Sequence, residues 1–449
     1  MNNARMDNEI IENIYDLVFS NHQLADGYEV HISHTEESLT RFANNIIHQN
    51  LFENSIQICI RALIDQKTSR ISVNTLNPDK IQEALRTAIE LAKISPQDPN
   101  LPPLPEPQHY SDKISFAEET YTNTPIDRAQ QVNKVIQIAQ SNGLDCAGVL
   151  ASATSHYYLG NSKGLRAASP TTMATFSTTM HQGNSTGWVK KRHPNICNMD
   201  IHALSQIAAG KALQNRNQKE LLPGLYTVIL EPAALVDLLE FSLFDFGVTS
   251  VLEKRSCFTD KLGQKIFADN ITISDNIYHP MQTGTPFDGE GIPRSPVTLV
   301  KNGVLTNFVT SQSSAMRMKT IPTGHGFMLP NAWGEAPMHI VMKGENTSLD
   351  EMIRSTQRGV LITRLWYIRD IDPMSKTLTG MTRDGTFMIE NGTVSHAIKN
   401  MRFNISLFDL FNHIVAMSAH TYASGEEGVD MVVPAVKVES FPFTSATTY

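Results

Sequence analysis

Glu240 and Asp245 form the acidic pair of most chemical interest, because they share one apolar stretch, residues 226–247, in which polar residues are few. Two carboxylates can divide general acid and base work or hold a hard cation. Five residues apart in an ideal helix, however, they differ by about 140° around the axis and converge only if the turn widens. Otherwise one is solvated and the other caps or pairs locally. Gly183-Asn184-Ser185-Thr186-Gly187 matches the G-x-S-x-G nucleophile pattern, which needs a sharp strand-to-helix turn. Both flanks, 174–180 and 188–191, read as extended, so a loop between strands is the simpler reading. His31 and His34 are three apart in a strand-like segment and face opposite sides. His413 and His420, read on one helix, stand roughly 10 Å apart. No histidine is followed directly by glutamate, and Cys59, Cys146, Cys197 and Cys257 form no C-x-x-C. A conventional zinc ligand set is not visible.

Binding chemistry is more suggestive than catalytic chemistry. The segments 284–293 and 321–326, the second containing His325, are Gly- and Pro-rich loops with backbone open to a ligand. Residues 363–369 alternate into a strand bearing Arg364, Trp366 and Arg369, and Arg383 lies in the 379–387 segment that leads into a hairpin. Arginine and aromatic residues on a strand suit capture of an extended peptide by strand addition. The competing reading packs the rings in the core and pairs the arginines with Asp370, Asp372 or Asp384.

The elements that must position these residues follow from periodicity and breakers. Residues 7–24 read as a helix; 28–34, 38–49, 55–64 and 69–74 read as strands of an antiparallel meander. Asn77 caps a helix with Pro78 at its first position. Six prolines in 95–107 favour an extended connector. Thr124-Pro125 opens a helix closed by Gly143, strands follow to 191, and a helix runs from 200 to about 215. Residues 226–230 read as a buried strand, with Pro232 opening a helix that covers 233–246. Asn302-Gly303 and Asn391-Gly392 mark tight hairpins. Ser348 and Glu351 form a capping box for a helix ending at Gly359, and 405–422 reads as a late amphipathic helix.

The fold class is α+β: an N-terminal α+β domain with antiparallel strands over 1–220, and a mostly β C-terminal domain with a few helices over 221–449. The 449-residue length fits at least two cores. With 41% apolar residues, no run near the ~20 needed to span a bilayer, and a polar N-terminus, the expectation is a cytoplasmic protein without membrane association. A net charge of −8 opposes nucleic acid as a partner.

Taken in order, 41–50, Asn161-Ser162-Lys163-Gly164, Phe287-Asp288-Gly289-Glu290-Gly291, Pro322-Thr323-Gly324-His325-Gly326, the two hairpins and the late helix resemble the TldD/PmbA family, historically named modulators of DNA gyrase. The similarity spans nearly the whole chain. The family's catalytic branch, TldD, is a zinc peptidase with an H-E-x-x-x-H helix and a late cysteine in a C-G-x-E-G context. Matched to that pattern, Glu240 and Asp245 stand at the histidine positions, Phe241 at the general base, and Ser424 of 424–428 at the cysteine. Phenylalanine cannot take a proton, and a serine hydroxyl is a weak zinc ligand beside thiolate. The resemblance therefore points to the TldE (PmbA) branch, a noncatalytic subunit acting on unfolded or leader peptides with a TldD-like partner. It implies no catalytic residue and no cofactor in this chain, zinc in the partner, and a dimer enclosing a peptide cavity, with His325, Arg364, Trp366, Arg369 and Arg383 as substrate-binding candidates. Two alternatives stand beside it: a homodimer that binds peptides or proteins without hydrolysis, and a divergent peptidase using Glu240 and Asp245 on a harder metal.

Overall fold

The computed structural model describes residues 6–21, 23–113, 115–426 and 429–447. The architecture is α+β, as composition and periodicity indicate. Six strands, β1 (Gly27–Ala43), β2 (Ile46–Ile64), β3 (Lys67–Val73), β4 (Asp145–Asn161), β5 (Arg166–Gln182) and β6 (Ser185–His193), form one antiparallel sheet in the order β3-β2-β1-β4-β5-β6. Helices Asn8–Phe19 and Pro78–Ile94 bury Ile11, Ile14, Val18, Ile81, Leu85 and Ile89 against Val30, Ile32, Ile58 and Ile60. Helices Pro125–Ser141 and Ile201–Gln214 cover the other half through Val132, Val135, Ile136, Ala208 and Ala212.

The meander differs from the expectation in one respect. Residues 28–34 and the first part of 38–49 belong to the single strand β1, and Asn44 and Asn45, at φ 50° and 61°, form the turn into β2. Asparagine tolerates this left-handed backbone well, which is what a two-residue hairpin requires. The 41–50 segment is thus a hairpin tip, not one strand. At the β5–β6 hairpin Gln182 pairs with Ser185, so Gly183-Asn184 is the turn. Ser185 Oγ donates to Ala212 O and is buried. The G-x-S-x-G match is a loop between strands.

The C-terminal half holds two further sheets. One has six strands, with Thr421–Ser424 at an edge beside Asp430–Val433. The other joins Arg358–Asp372, Gly224–Leu230, Val436–Ala446, Met401–Ser406 and Thr377–Glu390; because the first also pairs with the last, these five close into a ring. The closing pairings are short: Arg358–Asp372 meets Gly224–Leu230 only over residues 359–362, and beyond them it has a strand partner on the Thr377–Glu390 side alone. Asn302-Gly303 and Asn391-Gly392 make the expected hairpin turns with positive φ throughout.

Two helix expectations fail here. The capped helix at Ser348 stops at Arg354, and Arg358 already starts the next strand, so Gly359 lies within a sheet. Residues 405–422 are not one helix: a strand ends at Ser406, Leu407–Asn412 is a short helix, and Ile414–Met417 and Thr421–Ser424 are strands. The three-to-four spacing of Leu407, Leu410, Phe411 and Ile414 arises because helix and strand both face one core. Pairing of Ile414–Met417 with Val436–Ala446 overrides the local pattern. His413 and His420 therefore share no helix.

Candidate functional site

The strand Gly224–Leu230 runs into helix Pro232–Leu239, which buries Leu235, Leu238 and Leu239 in the large C-terminal core. The helix is shorter than expected, because Glu240–Phe246 continues as a tighter 3-10 turn. At three residues per turn, positions five apart differ by roughly 120°, so Glu240 and Asp245 still diverge.

Asp245 is buried with its carboxylate 2.7 Å from Lys376 Nζ, while Cys257 N donates to its other oxygen at 2.9 Å. Lys376 also donates to Phe241 O at 3.1 Å and lies 3.6 Å from Asp370. Burial disfavours the Lys376 charge, but Asp245 and Asp370 outweigh it and hold the pKa above the ordinary lysine value. Glu240 and Phe241 face a different gap, shared with Asp237, Trp366 and Glu426, whose volume is only about 10 Å³. Ser424 Oγ donates to Asp430 Oδ1 at 2.6 Å, and Asp430 is ion-paired with Arg192 of β6. Among the described residues, no three or more His, Cys, Asp or Glu side chains are grouped to hold a metal. The side chains at 241, 245 and 424 do not fit a zinc ion: one is a hydrocarbon, one is engaged by an ammonium, and the hydroxyl is engaged by a carboxylate. Glu427 and Gly428 lie outside the described residues.

Asp237 joins these pieces, and its role escaped sequence reasoning. It accepts from Glu426 N at 2.6 Å through one oxygen and from Leu365 N at 3.2 Å through the other. A Cβ at Gly425 would stand 2.7 Å from Asp237 Oδ1, so the 424–426 turn can approach only as glycine. The available signal was a carboxylate inside an otherwise apolar helix.

Arg364 is buried between Asp384, which its Nε reaches at 2.8 Å, and Glu426, with its guanidinium 4.5 Å over the Trp188 ring of β6. This cluster ties the N-terminal edge strand to the helix platform. Trp366, Arg369 and Arg383 lie nearer the surface as an alternating stack: Arg383 is 3.8 Å over Trp366, Trp366 abuts Tyr367 at 5.6 Å, and Arg369 is 4.8 Å over Tyr367. Tyr367 adopts φ 56°, a strained value for an aromatic residue.

His325 is placed apart from that stack. It is buried with Nε2 3.1 Å from Asp275 and Nδ1 2.9 Å from Thr323 Oγ1, beside His339. Burial would raise the Asp275 pKa, but the neighbouring histidines outweigh it and lower it to about 2. Burial, reinforced by Arg294, lowers His339 to about 3. In the adjoining loop Asp288 accepts from the N–H groups of Glu290, Ile292 and Gly326, and Glu290 accepts from Gln312 N at 2.7 Å. Burial and the Asp288 charge push Glu290 well above the carboxylate range. The loop seats on the N-terminal sheet by stacking Phe287 on Tyr157 of β4, and Tyr110 packs tilted against the same ring with its hydroxyl donating to Gly291 O at 2.7 Å.

Residues 223–445 match the model of the PmbA/TldA metallopeptidase C-terminal domain, and residues 28–92 that of PmbA/TldA metallopeptidase domain 1. An uncharacterised protein of Methanocaldococcus jannaschii is 24% identical over 87% of this chain and 89% of its own length. The metalloprotease PmbA of Escherichia coli O157:H7 is 27% identical over 37% of this chain and 35% of its own. In structure, TldE of Thermococcus kodakarensis superposes with a TM-score of 0.88 at 21% identity, covering 97% of this chain and all of that one. Domain models over both halves, with a shared fold, establish that the chain belongs to the PmbA/TldD family.

Proposed function

We propose that this chain is the noncatalytic, TldE-like subunit of a two-component zinc peptidase acting on unfolded or leader peptides. It completes and lines the substrate cavity, while a TldD-like partner holds the zinc and activates water. The observation that carries this reading is the use of the motif positions as structure: Asp245 is paired with Lys376, Ser424 with Asp430, and Phe241 lines a gap of about 10 Å³. A gap of that size takes about one water molecule, too little for a scissile bond beside a reacting water. Trp366, Arg369 and Arg383 supply a surface for an extended chain, where main-chain hydrogen bonds give sequence-tolerant affinity. The Lys376 contact counts against a peptidase built on Glu240 and Asp245, since the metal would have to displace a buried ammonium.

The test is co-expression with a TldD-like protein of the same organism. The expected result is a mixed dimer by light scattering, peptide cleavage by the mixture only, and zinc in the partner. A homodimer that ignores the partner would support a binding protein without hydrolysis instead. Zinc in the lone chain, with cleavage lost on Glu240→Ala and Asp245→Ala, would overturn the proposal.

A further inference from the structure

A cavity of about 480 Å³ opens between the N-terminal sheet and the six-stranded C-terminal sheet, sharing no lining residue with the gap at Glu240 and Phe241. Two sheet edges border it: β6 contributes Lys191 and His193, and Thr421–Ser424 contributes Tyr422. Lys113 and Phe116 enter from the segment before β4, and Met281 from the 280–283 loop.

Its charge is one-sided. Among the described residues, the lining contains two lysines and a histidine but no aspartate or glutamate. Lys191 Nζ reaches only a backbone carbonyl, Tyr422 O at 3.3 Å, and Lys113 Nζ likewise reaches His279 O at 3.5 Å. Lys211, Arg192 and Lys376, also part-buried, have carboxylates in Glu231, Asp430 and Asp245, whereas Lys190 reaches the carbonyls of Gly425 and Glu426 much as Lys113 and Lys191 reach theirs. Burial alone lowers the pKa of both Lys113 and Lys191, with no acidic side chain to offset it. Asn195 meets His193 Nδ1 through both its N–H, at 2.9 Å, and its carbonyl, at 3.0 Å, and burial with the neighbouring Lys191 lowers the His193 pKa, so the imidazole lines the cavity as a neutral group. Two ammonium groups thus border a space many times the ~30 Å³ share of a liquid water molecule. The Phe116 and Met281 walls suit a carbon skeleton better than an inorganic ion.

We propose that this cavity binds a small organic carboxylate, with the anion held by Lys113 and Lys191 and its apolar body against Phe116 and Met281. That the carboxylate is the C-terminus of a short peptide rests on the peptide-accepting function above; the anion site itself does not.

Calorimetric titration of the full chain at low salt, with three probes, separates the two. The probes are a Gly-Phe-Ala tripeptide acid, its C-terminal amide and citrate. The expected result is that the acid binds roughly tenfold or more tightly than the amide, the loss of one charge-assisted contact. Lys191→Met and Lys113→Met should each weaken the acid by a similar factor, and Lys191→Arg should restore it. Binding of citrate without the tripeptide acid supports the anion site and counts against the peptide function. Equal binding of acid and amide, or no heat from any probe, overturns the proposal; the wild-type comparison decides this even if a lysine variant fails to fold.

Discussion

Asp237 and Asp245 lie eight residues apart and hold the platform in different ways. Asp237 satisfies two backbone N–H groups on other elements, Glu426 and Leu365. Asp237→Ala leaves both donors without that acceptor, and each lost buried bond costs about 1–3 kcal/mol. The expected outcome is a clear drop in the midpoint of chemical denaturation, with Asp237→Asn intermediate because it keeps one acceptor oxygen. Asp245 forms a nearly dry ion pair with Lys376, both side chains under 10% exposed. Breaking one side of such a pair costs about 3–5 kcal/mol, chiefly from the charge left behind. Asp245→Ala and Lys376→Met should therefore each destabilise strongly, while the double variant recovers part of the loss. A double-mutant cycle with no coupling energy would contradict a direct pair.

At the scale of elements, the decisive feature is where the platform helix ends. After Leu239 the chain tightens into a 3-10 turn and directs Asp245 to Lys376 while Glu240 faces Trp366 and Glu426. Rewriting the motif as Glu240→His, Phe241→Glu and Asp245→His should then create no zinc site. Elemental analysis of the triple variant is expected to find no stoichiometric zinc, and one zinc per chain would show that the turn can rewind. Strand β6 works from the other side. Trp188 carries the Arg364 guanidinium, Lys190 Nζ donates to Gly425 O at 2.7 Å, and Arg192 pairs with Asp430. A sheet edge that would otherwise expose unpaired backbone is thereby covered by the other half of the molecule.

For the whole molecule, the buried Asp275 and His339 set a pH response. Because His339 falls from 6.5 to about 3, the folded chain binds fewer protons than the unfolded one across that window. Its contribution to stability is complete above pH 6.5 and is lost as the pH falls toward 3. Asp275, lowered from 3.8 to about 2, adds a loss of the same sign further into acid. Glu290 has the opposite sign, since a raised carboxyl favours the folded state at low pH. The expected measurement is a fall in denaturation free energy from near neutrality downward, with a shallower slope for His339→Gln. An unchanged slope would remove His339 as the cause. No helix among the described residues is long and apolar enough to cross a membrane.

What the sequence by itself determined was local chemistry. Asn77 and Ser348 cap their helices, Thr124-Pro125 opens another, Pro78 and Pro232 sit at the starts of theirs, and both Asn-Gly pairs turn hairpins. Each depends on one residue's backbone preference or one short-range hydrogen bond, so neighbouring residues suffice to reveal it. The ordered segments also carried the family, and residue types alone ruled out a histidine and cysteine ligand set at 240, 245 and 424. Tertiary structure decided the rest. It broke 405–422 into strand, helix and strands, because a pairing partner some twenty residues later outweighed helical spacing. It joined Asp245 to Lys376 across 131 positions and Arg364 to Trp188 across 176. It also left Lys113 and Lys191 facing one cavity without a carboxylate. Such contacts depend on how sheets stack and which edges meet, and those are properties of the packed chain rather than of any segment.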